Sequence, residues 1–206
     1  MVRDIMTDKK KYNFKCFETE CSNRVCCTRP EVNVTTGDLS RWTVANVLQH
    51  IMGALELKVP QGEGEIIRMV TVRKPLESDP EKTACALYHE ESNNCTIRYI
   101  RPISCRTFPL QYNGEKFYVS NKQCPGIGEG DVTKEALKEA KELAEEEYEE
   151  RVETQMALPA IYGMIMAQMI KQSQEAMKNM SPEDLEKLEE MMQKQKQDEP
   201  EEEETE

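Results

Sequence analysis

Eight cysteines constrain this 206-residue chain more than any other feature, because all of them lie in its first 124 residues. They form an early group and a late group: Cys16, Cys21, Cys26 and Cys27, then Cys85, Cys95, Cys105 and Cys124. Thiolates are soft ligands that suit zinc or the iron of an iron-sulfur cluster. Hydrophobic residues make up only 38% of the chain, so the core is modest and metal binding can contribute folding free energy. The cysteines therefore predict a small, metal-stabilised domain in which all eight are ligands.

The early cysteines have the spacings C-x4-C and C-x4-CC, and the adjacent pair Cys26-Cys27 is the unusual part. Adjacent side chains point to opposite sides of a strand and diverge by about 100° around a helix. We therefore do not expect two adjacent thiolates to bind the same small ion. Either they serve different sites, or one of them is packed as a small buried hydrophobe. We favour two sites, or one asymmetric site.

The acidity of the chain is concentrated in its C-terminal part. The net charge is −12, and residues 131–206 alone carry 23 acidic and 9 basic side chains. Nucleic-acid binding requires Lys and Arg to neutralise phosphates, so it is not expected of this chain. The cysteine-rich part is close to neutral, so the acidity says little about its chemistry.

The chain shows no sequence signal for secretion or for membrane insertion. Its N-terminus is polar, without the apolar core of a signal peptide. The longest apolar run, Leu158 to Met166, contains Pro159 and Gly163 and is shorter than the ~20 residues that span a bilayer. We expect a cytoplasmic protein, in which reduced thiols act as metal ligands rather than as disulfides.

Short elements are predicted around the cysteines. Residues 31–35 are β-branched and alternating, which predicts a strand. A helix is expected over roughly 38–52, capped by Thr36 or Asp38 and anchored in the core by Trp42.

Further strands are predicted over 65–73 and briefly over 84–88. The Asn113-Gly114 dipeptide predicts a hairpin over 111–120.

Arginines and prolines surround Cys105. Pro102 and Pro109 restrict the backbone on either side of it. Arg101 and Arg106 are predicted to lie beside the bound centre, where guanidinium groups offset its negative charge and donate to sulfur. A structural salt bridge is an equal alternative for either arginine, and binding of an anion or a substrate carboxylate is a third.

The two histidines contribute little to the predicted site. His89, between Cys85 and Cys95, is the best candidate for a non-thiolate ligand or proton carrier, with simple exposure to solvent as the alternative. His50 is expected to be exposed or to cap a helix. No catalytic base stands out, and no hydrolase triad or phosphate-binding loop is present.

The cysteines and their neighbours resemble a known family over about residues 14–130. The pattern consists of the double cysteine, VNVTTGDLSRW, Cys85, CTIRYIRPISCRTFP and CPGIG. It is similar to the YkgJ-like, or CxxCxxCC, cysteine-cluster proteins, which usually have tighter N-terminal spacings. The resemblance implies zinc or iron-sulfur binding. A flagellin lysine N-methylase resembles the same family, which makes S-adenosylmethionine-linked chemistry an analogy, although the sequence shows no separate methyl-donor site.

The C-terminal extension is predicted to be helical over 131–197. Pro159 is expected to break or kink its first helix; a second is expected over 160–180, and a third begins at Ser181. Eight of the twelve methionines lie between 156 and 192. Such residues suit either helix–helix packing or an adaptable surface for a protein partner or for self-association through helices 133–192. The acidic tail, 198–206, is expected to be disordered.

The sequence thus predicts an α+β, loop-rich cysteine-cluster domain over 14–130, preceded by a polar segment over 1–13 and followed by a helical extension. The favoured cofactor is an iron-sulfur cluster, with zinc as the alternative. Two other functions remain open: an iron-sulfur enzyme related to lysine N-methylases, and an adaptor that acts through the helical extension.

Overall fold

The computed structural model describes residues 12–62 and 64–181. It divides the chain into two compact units, Met1–Pro159 and Ala160–Glu206. The first unit contains small antiparallel strand pairs and short helices, and a long helix begins within it. This confirms the predicted α+β class with a helical extension.

The helices and strands are mostly short, apart from α5, which begins in the first unit and continues beyond Pro159. The helices are α1 Val25–Thr28, α2 Thr36–Val44, α3 Leu48–Ile51, α4 Ile103–Arg106 and α5 Lys134–Lys178. The strands are β1 Leu55–Lys58, β2 Arg68–Thr71, β3 Arg73–Pro75, β4 Thr83–Cys85, β5 Tyr88–His89, β6 Asn94–Cys95, β7 Leu110–Tyr112 and β8 Phe117–Val119. Each odd-numbered strand pairs antiparallel with the next strand along the chain. No strand pair is wide enough to bury a core alone, so the domain depends on packing between pairs and helices.

The segment predicted as a strand over 31–35 is extended but forms only a single bridge, between Asn33 and Val70. Val34 N–H donates to the Met69 carbonyl at 2.9 Å, and Thr71 N–H donates to the Val32 carbonyl at 3.1 Å. This segment therefore lines the edge of β2 and places Val32 and Val34 in the core.

The predicted hairpin at Asn113-Gly114 is confirmed as β7–β8. The Asn113 side-chain oxygen accepts from the amides of Glu115 and Lys116 at 3.0 and 2.8 Å. Gly114 has a φ of 94°, which a residue with a Cβ rarely adopts.

The predicted helix over 38–52 is instead two helices, α2 and α3, separated at Asn46. Asn46 has a φ of 56°, a left-handed conformation that ends α2 and that asparagine tolerates well. The N-cap is Thr35, and Asp38 completes a capping box with it. Trp42 is completely buried and its Nε1–H donates to the Ile100 carbonyl at 2.6 Å, which confirms its role as a core anchor.

A buried carboxylate, Asp38, connects α2 to α4. Its Oδ1 accepts from the Arg41 guanidinium at 2.7 Å and from the Ile103 amide, the first of α4, at 2.9 Å. Its Oδ2 accepts from the Thr35 amide at 3.1 Å. Because α4 carries Cys105, this carboxylate fixes one of the cysteine-bearing helices.

The part of α5 before Pro159 packs against the cysteine-bearing part of the first unit. Arg41 donates to both Glu150 oxygens, at 2.5 and 2.9 Å, and the Thr36 amide donates to Thr154 Oγ1 at 2.9 Å. The Tyr148 ring meets the Tyr112 ring edge-on at 5.5 Å between centroids. This side of α5 is therefore an integral part of the domain's packing.

The predicted break at Pro159, with a separate helix over 160–180, is wrong, because α5 runs through Pro159 to Lys178. The alternative prediction, a kink at Pro159, stays a prediction. A proline removes one backbone hydrogen bond, and the helix formers on both sides keep the segment helical. The helix predicted from Ser181 onward lies outside the described residues, apart from Ser181 itself, and so does the acidic tail. Among the described residues, no helix has the length and apolar character needed to cross a membrane.

Replacing Asp38 by alanine is expected to lower the free energy of unfolding by about 3 kcal/mol, because it leaves two buried amides without their acceptor and removes one of the two carboxylates that bind Arg41. Urea denaturation of the metal-loaded protein measures the change. The control is Asp79→Ala, which removes an exposed ion pair with Lys82 and should leave the midpoint unchanged. Equal midpoints for Asp38→Ala and wild type would contradict the role assigned to Asp38.

Candidate metal centre

One cavity of about 100 Å³ brings together every cysteine of the chain. All eight are free thiols. The cysteines that line it are Cys16, Cys21, Cys26, Cys27, Cys85, Cys95, Cys105 and Cys124. Residues separated by more than 100 positions in sequence thus face a common space.

Short secondary-structure elements carry the cysteines of the cavity wall. Cys26 and Cys27 lie on α1, and Cys105 lies on α4. Cys85 ends β4 and Cys95 ends β6. Each therefore comes from an element with its own backbone hydrogen bonds.

A backbone clasp closes the cavity by joining the two ends of the cysteine-rich segment. Phe14 and Ile127 form an antiparallel bridge, and the Lys15 amide donates to the Gly126 carbonyl at 3.0 Å. A Cβ at position 126 would collide with the Lys15 carbonyl oxygen, so this close approach requires glycine. The clasp brings the first and last cysteines to the same side of the cavity.

The thiols of Cys26 and Cys27 lie closer together than the sequence suggested. Their Sγ atoms are 3.9 Å apart, although adjacent residues of a helix point in directions about 100° apart. Side-chain rotation in the single turn of α1 brings the two sulfurs together. Tetrahedral Zn–S bonds of about 2.3 Å place two sulfurs about 3.8 Å apart, so this distance allows either a shared ion or neighbouring ones.

The contact between these two thiols shifts their pKa values in opposite directions. A hydrogen bond with Cys27 lowers the pKa of Cys26 to about 6, and the positive charges of Arg24, Arg29 and Arg101 add to the effect against the cost of burial. The same hydrogen bond, together with burial, raises the pKa of Cys27. The contact therefore favours the thiolate form of Cys26 over that of Cys27.

Burial keeps several other thiols neutral. It raises the pKa of Cys105 to about 12, against the opposing charge of Arg29. Burial also raises the pKa values of Cys95 and Cys124. A metal must displace these protons, so its binding to the cavity releases protons and strengthens as pH rises.

Both arginines predicted to lie beside the centre, Arg101 and Arg106, line the cavity. Arg101 Nε is buried and has no hydrogen-bond partner among the described residues. The positive charge of Arg101 favours the thiolate forms of Cys26 and Cys95. Arg98 also lines the cavity, where it hydrogen-bonds Cys16 and forms an ion pair with Glu18 at 2.7 Å.

Arginines near the double cysteine were missed by sequence reasoning. Arg29 donates to Cys105 Sγ at 3.3 Å, and its guanidinium lies 5.3 Å from the centre of the Phe108 ring. Arg24 is only 8% exposed and donates to Asn93 Oδ1 at 2.8 Å. The signal was present in the sequence, because these two arginines flank the cysteines in NRVCCTRP.

The histidines lie away from this cavity. His89 is exposed, and its Nδ1 hydrogen-bonds Ser92 Oγ at 2.9 Å. It lines a different surface depression, with Lys74 and Glu90. The hypothesis of His89 as a metal ligand is therefore not supported, and the alternative of an exposed histidine is confirmed. His50 is exposed as well, as predicted.

The donor chemistry of the cavity fits a thiolate-bound centre. Among the described residues that line it, sulfur is supplied by eight side chains, and none is His, Asp or Glu. Within residues 12–62 and 64–181, no three side chains of Cys, His, Asp or Glu already have the geometry of a single-ion site. The cavity thus supplies the ligand type that zinc and iron-sulfur clusters prefer.

In metal-free protein, Cys26 is expected to be the first thiol of its pair to react with iodoacetamide, with a midpoint near pH 6, because only the thiolate is nucleophilic. Peptide mass spectrometry over a pH series measures the midpoint. Removing the donor with Cys27→Ala should shift it upward by more than one pH unit. Exposed Cys16 serves as the control for reagent access. Equal reactivity of Cys26 and Cys27 at pH 7 would contradict the assignment.

Residues 15–125, just over half of the chain, match the model of the family CxxCxxCC, described as "Putative zinc- or iron-chelating domain". No curated protein and no solved structure matches the chain. The matched range begins one residue before the first cysteine and ends one residue after the last, so it coincides with the segment that the backbone clasp closes. The chain belongs to the CxxCxxCC family of zinc- or iron-chelating domains.

Proposed function

We propose that the cavity binds an iron-sulfur cluster through cysteine thiolates, with zinc as the alternative occupant. The observation that carries this proposal is the convergence of all eight thiols on one cavity. Iron-sulfur clusters are held mainly by cysteine thiolates, whereas zinc sites commonly mix cysteine with histidine. The ligand set here is entirely sulfur.

The number of donors and the size of the cavity support a group larger than one ion. A structural zinc ion takes four protein ligands, half of the thiols present. A cavity needs roughly 10–15 Å³ to hold one water molecule, so the space of about 100 Å³ accommodates several atoms. An iron-sulfur cluster, with its own inorganic sulfide, fills such a space better than a bare ion.

The arginines around the cavity support the same proposal electrostatically. Thiolate-held clusters are anionic, and hydrogen bonds to their sulfurs and nearby positive charges help set their reduction potential. Arg29 already donates to one ligand sulfur, and Arg24 and Arg101 lie near others. When bound, the cluster would cross-link the domain and supply one-electron chemistry.

Protein purified without oxygen is expected to be brown, with broad visible absorbance and with iron and acid-labile sulfide in comparable amounts. Metal analysis and absorbance spectroscopy test this. Cys105→Ser should lose at least half of the iron, while His89→Ala, outside the cavity, should retain all of it. Colourless protein with stoichiometric zinc would contradict the cluster and support the alternative.

A second function is favoured by the surface of the α5 segment after Pro159. Several large apolar side chains there are exposed to solvent: Ile161, Met164, Ile165, Met166, Met169, Ile170 and Met177. A helix that is apolar on all sides is normally covered. Residues 160–180 carry only Lys171, Glu175 and Lys178 as charges, in a chain of net charge −12. Two copies of this acidic chain can therefore meet here with little repulsion, and we propose self-association through this segment.

Sedimentation equilibrium is expected to show a reversible dimer that Ile165→Glu weakens at least tenfold, because the substitution places a charge on the apolar segment. Val44→Glu is the matched control, since Val44 is 83% exposed on α2, outside this segment. A monomer at all concentrations, or equal effects of the two variants, would contradict self-association. Wild-type protein that stays monomeric but captures another protein would favour the adaptor instead.

A further inference from the structure

The small sheet that contains β1 has one open edge. β2 pairs with β1 on one side and with the extended segment around Asn33 on the other. In the part of the chain that the structure describes, no strand or bridge pairs with the second side of β1. β1 is therefore an edge strand.

The backbone groups of Leu57, in the middle of β1, point to this open edge. β2 bonds to the extended segment through the Met69 carbonyl and the Thr71 N–H, so the intervening residue, Val70, directs its backbone groups to β1. Val70 lies opposite Glu56 in the β1–β2 register. Because these groups alternate along a strand, those of Glu56 face β2 and those of Leu57 point outward.

The open edge combines unpaired backbone groups with apolar side chains. Leu57 and Val59 are each 43% exposed. The Leu55 N–H donates to the Met52 carbonyl, but among the described residues nothing bonds to the Leu55 carbonyl or to the outward groups of Leu57. Such an edge is a template for a further strand.

The charged side chains of β1 lie on either side of Leu57, on the same face of the sheet. Lys58 donates to Glu31 at 2.9 Å, and Arg68 donates to the same carboxylate at 2.7 Å. Two cations thus share one carboxylate. Glu56 forms no ion pair with any described residue. An excess cation and an unpaired carboxylate therefore stand two positions apart.

We propose that β1 pairs antiparallel with β1 of a second copy of this chain, around a two-fold axis through Leu57. Leu57 exchanges both of its outward hydrogen bonds with the partner's Leu57, and the Val59 N–H donates to the partner's Leu55 carbonyl. Glu56 then lies opposite the partner's Lys58, and Lys58 lies opposite the partner's Glu56. The exposed apolar side chains of the two strands meet on the other face.

Charge complementarity selects this register. Glu56 and the partner's Lys58 occupy a non-hydrogen-bonded pair, the kind in which opposing side chains are closest. Axes through Glu56 or Lys58, or parallel pairing in register, bring like charges together. A lysine on an edge strand commonly prevents pairing, and the partner's Glu56 removes that obstacle here.

This surface is distinct in sequence from the α5 segment proposed for self-association, and it does not depend on the metal. In wild-type protein, two separate two-fold contacts join dimers into longer assemblies at higher concentration. A short strand buries little area, so pairing through β1 is the weaker and readily reversible contact. The parent protein for the test is therefore the full metal-loaded chain with Ile165→Glu, in which association through α5 is suppressed.

Charge reversal across the axis tests the register by sedimentation equilibrium. In the parent protein, Glu56→Lys and Lys58→Glu are each expected to weaken the dimer at least about tenfold, because each places like charges opposite one another. An equimolar mixture of the two variants should restore the dimer, since opposite charges again meet across the axis. The double variant, Glu56→Lys with Lys58→Glu, should restore it within one chain.

The control for net charge is Glu115→Lys, an exposed site on the β7–β8 turn that changes the charge as much as Glu56→Lys does. It should leave the dimer unchanged. Unchanged metal content shows that each variant is folded. A parent protein that stays monomeric, or a mixture no stronger than its components, overturns the proposal. Association that responds to Ile165→Glu but not to the charge reversals supports the α5 contact alone and also overturns pairing through β1.

Discussion

Charge compensation is the constraint on which this structure depends. Eight thiols around one cavity would repel one another if all were ionised without positive partners. The protein avoids this by keeping several of them protonated through burial and by placing arginines against others. The contact between Cys26 and Cys27 also limits repulsion, because one of the two thiols stays protonated and donates to the other. A bound metal takes over this role, because its positive charge replaces the protons.

The rest of the fold holds the cysteine-bearing elements in position. Each strand pair is too small to be stable alone, so the short helices depend on buried polar links between elements. Asp38 connects α2 with the start of α4, and Arg41 extends the same network to Glu150 on α5. The long helix is thus coupled to a cysteine-bearing helix through two carboxylates and one arginine. The helical extension and the metal-binding part share this polar network.

Local chemistry made much of this predictable from the sequence. A group of cysteines indicates a thiolate-bound metal from residue type alone. The dipeptide Asn113-Gly114 specifies its turn through the conformations of those two residues, without distant contacts. Trp42 was predictable as a core anchor because a large ring at that place in a short helix has few other roles.

What could not be predicted depends on distant contacts or on rotamers. The left-handed conformation of Asn46 that separates α2 from α3 costs little free energy for an asparagine. The sequence pattern therefore predicts one helix. The 3.9 Å between the sulfurs of Cys26 and Cys27 depends on side-chain torsions that spacing does not report. Arg29 reaches Cys105 only because residues 76 positions apart are folded together. Pro159 removes one backbone hydrogen bond, and the helix continues through it between two helical flanks.

The clasp between Lys15 and Gly126 has a consequence for how the protein is made. A ribosome must add about 110 further residues after Lys15 before its hydrogen-bond partner exists. The early cysteines therefore leave the exit tunnel well before the wall that encloses them can close, and closing so long a loop carries an entropic cost. Metal delivered during synthesis would meet a half-built cavity, whereas metal delivered afterwards meets a cavity whose wall is complete and at which Cys16 is exposed. The order of translation and metal supply thus becomes part of how this fold matures.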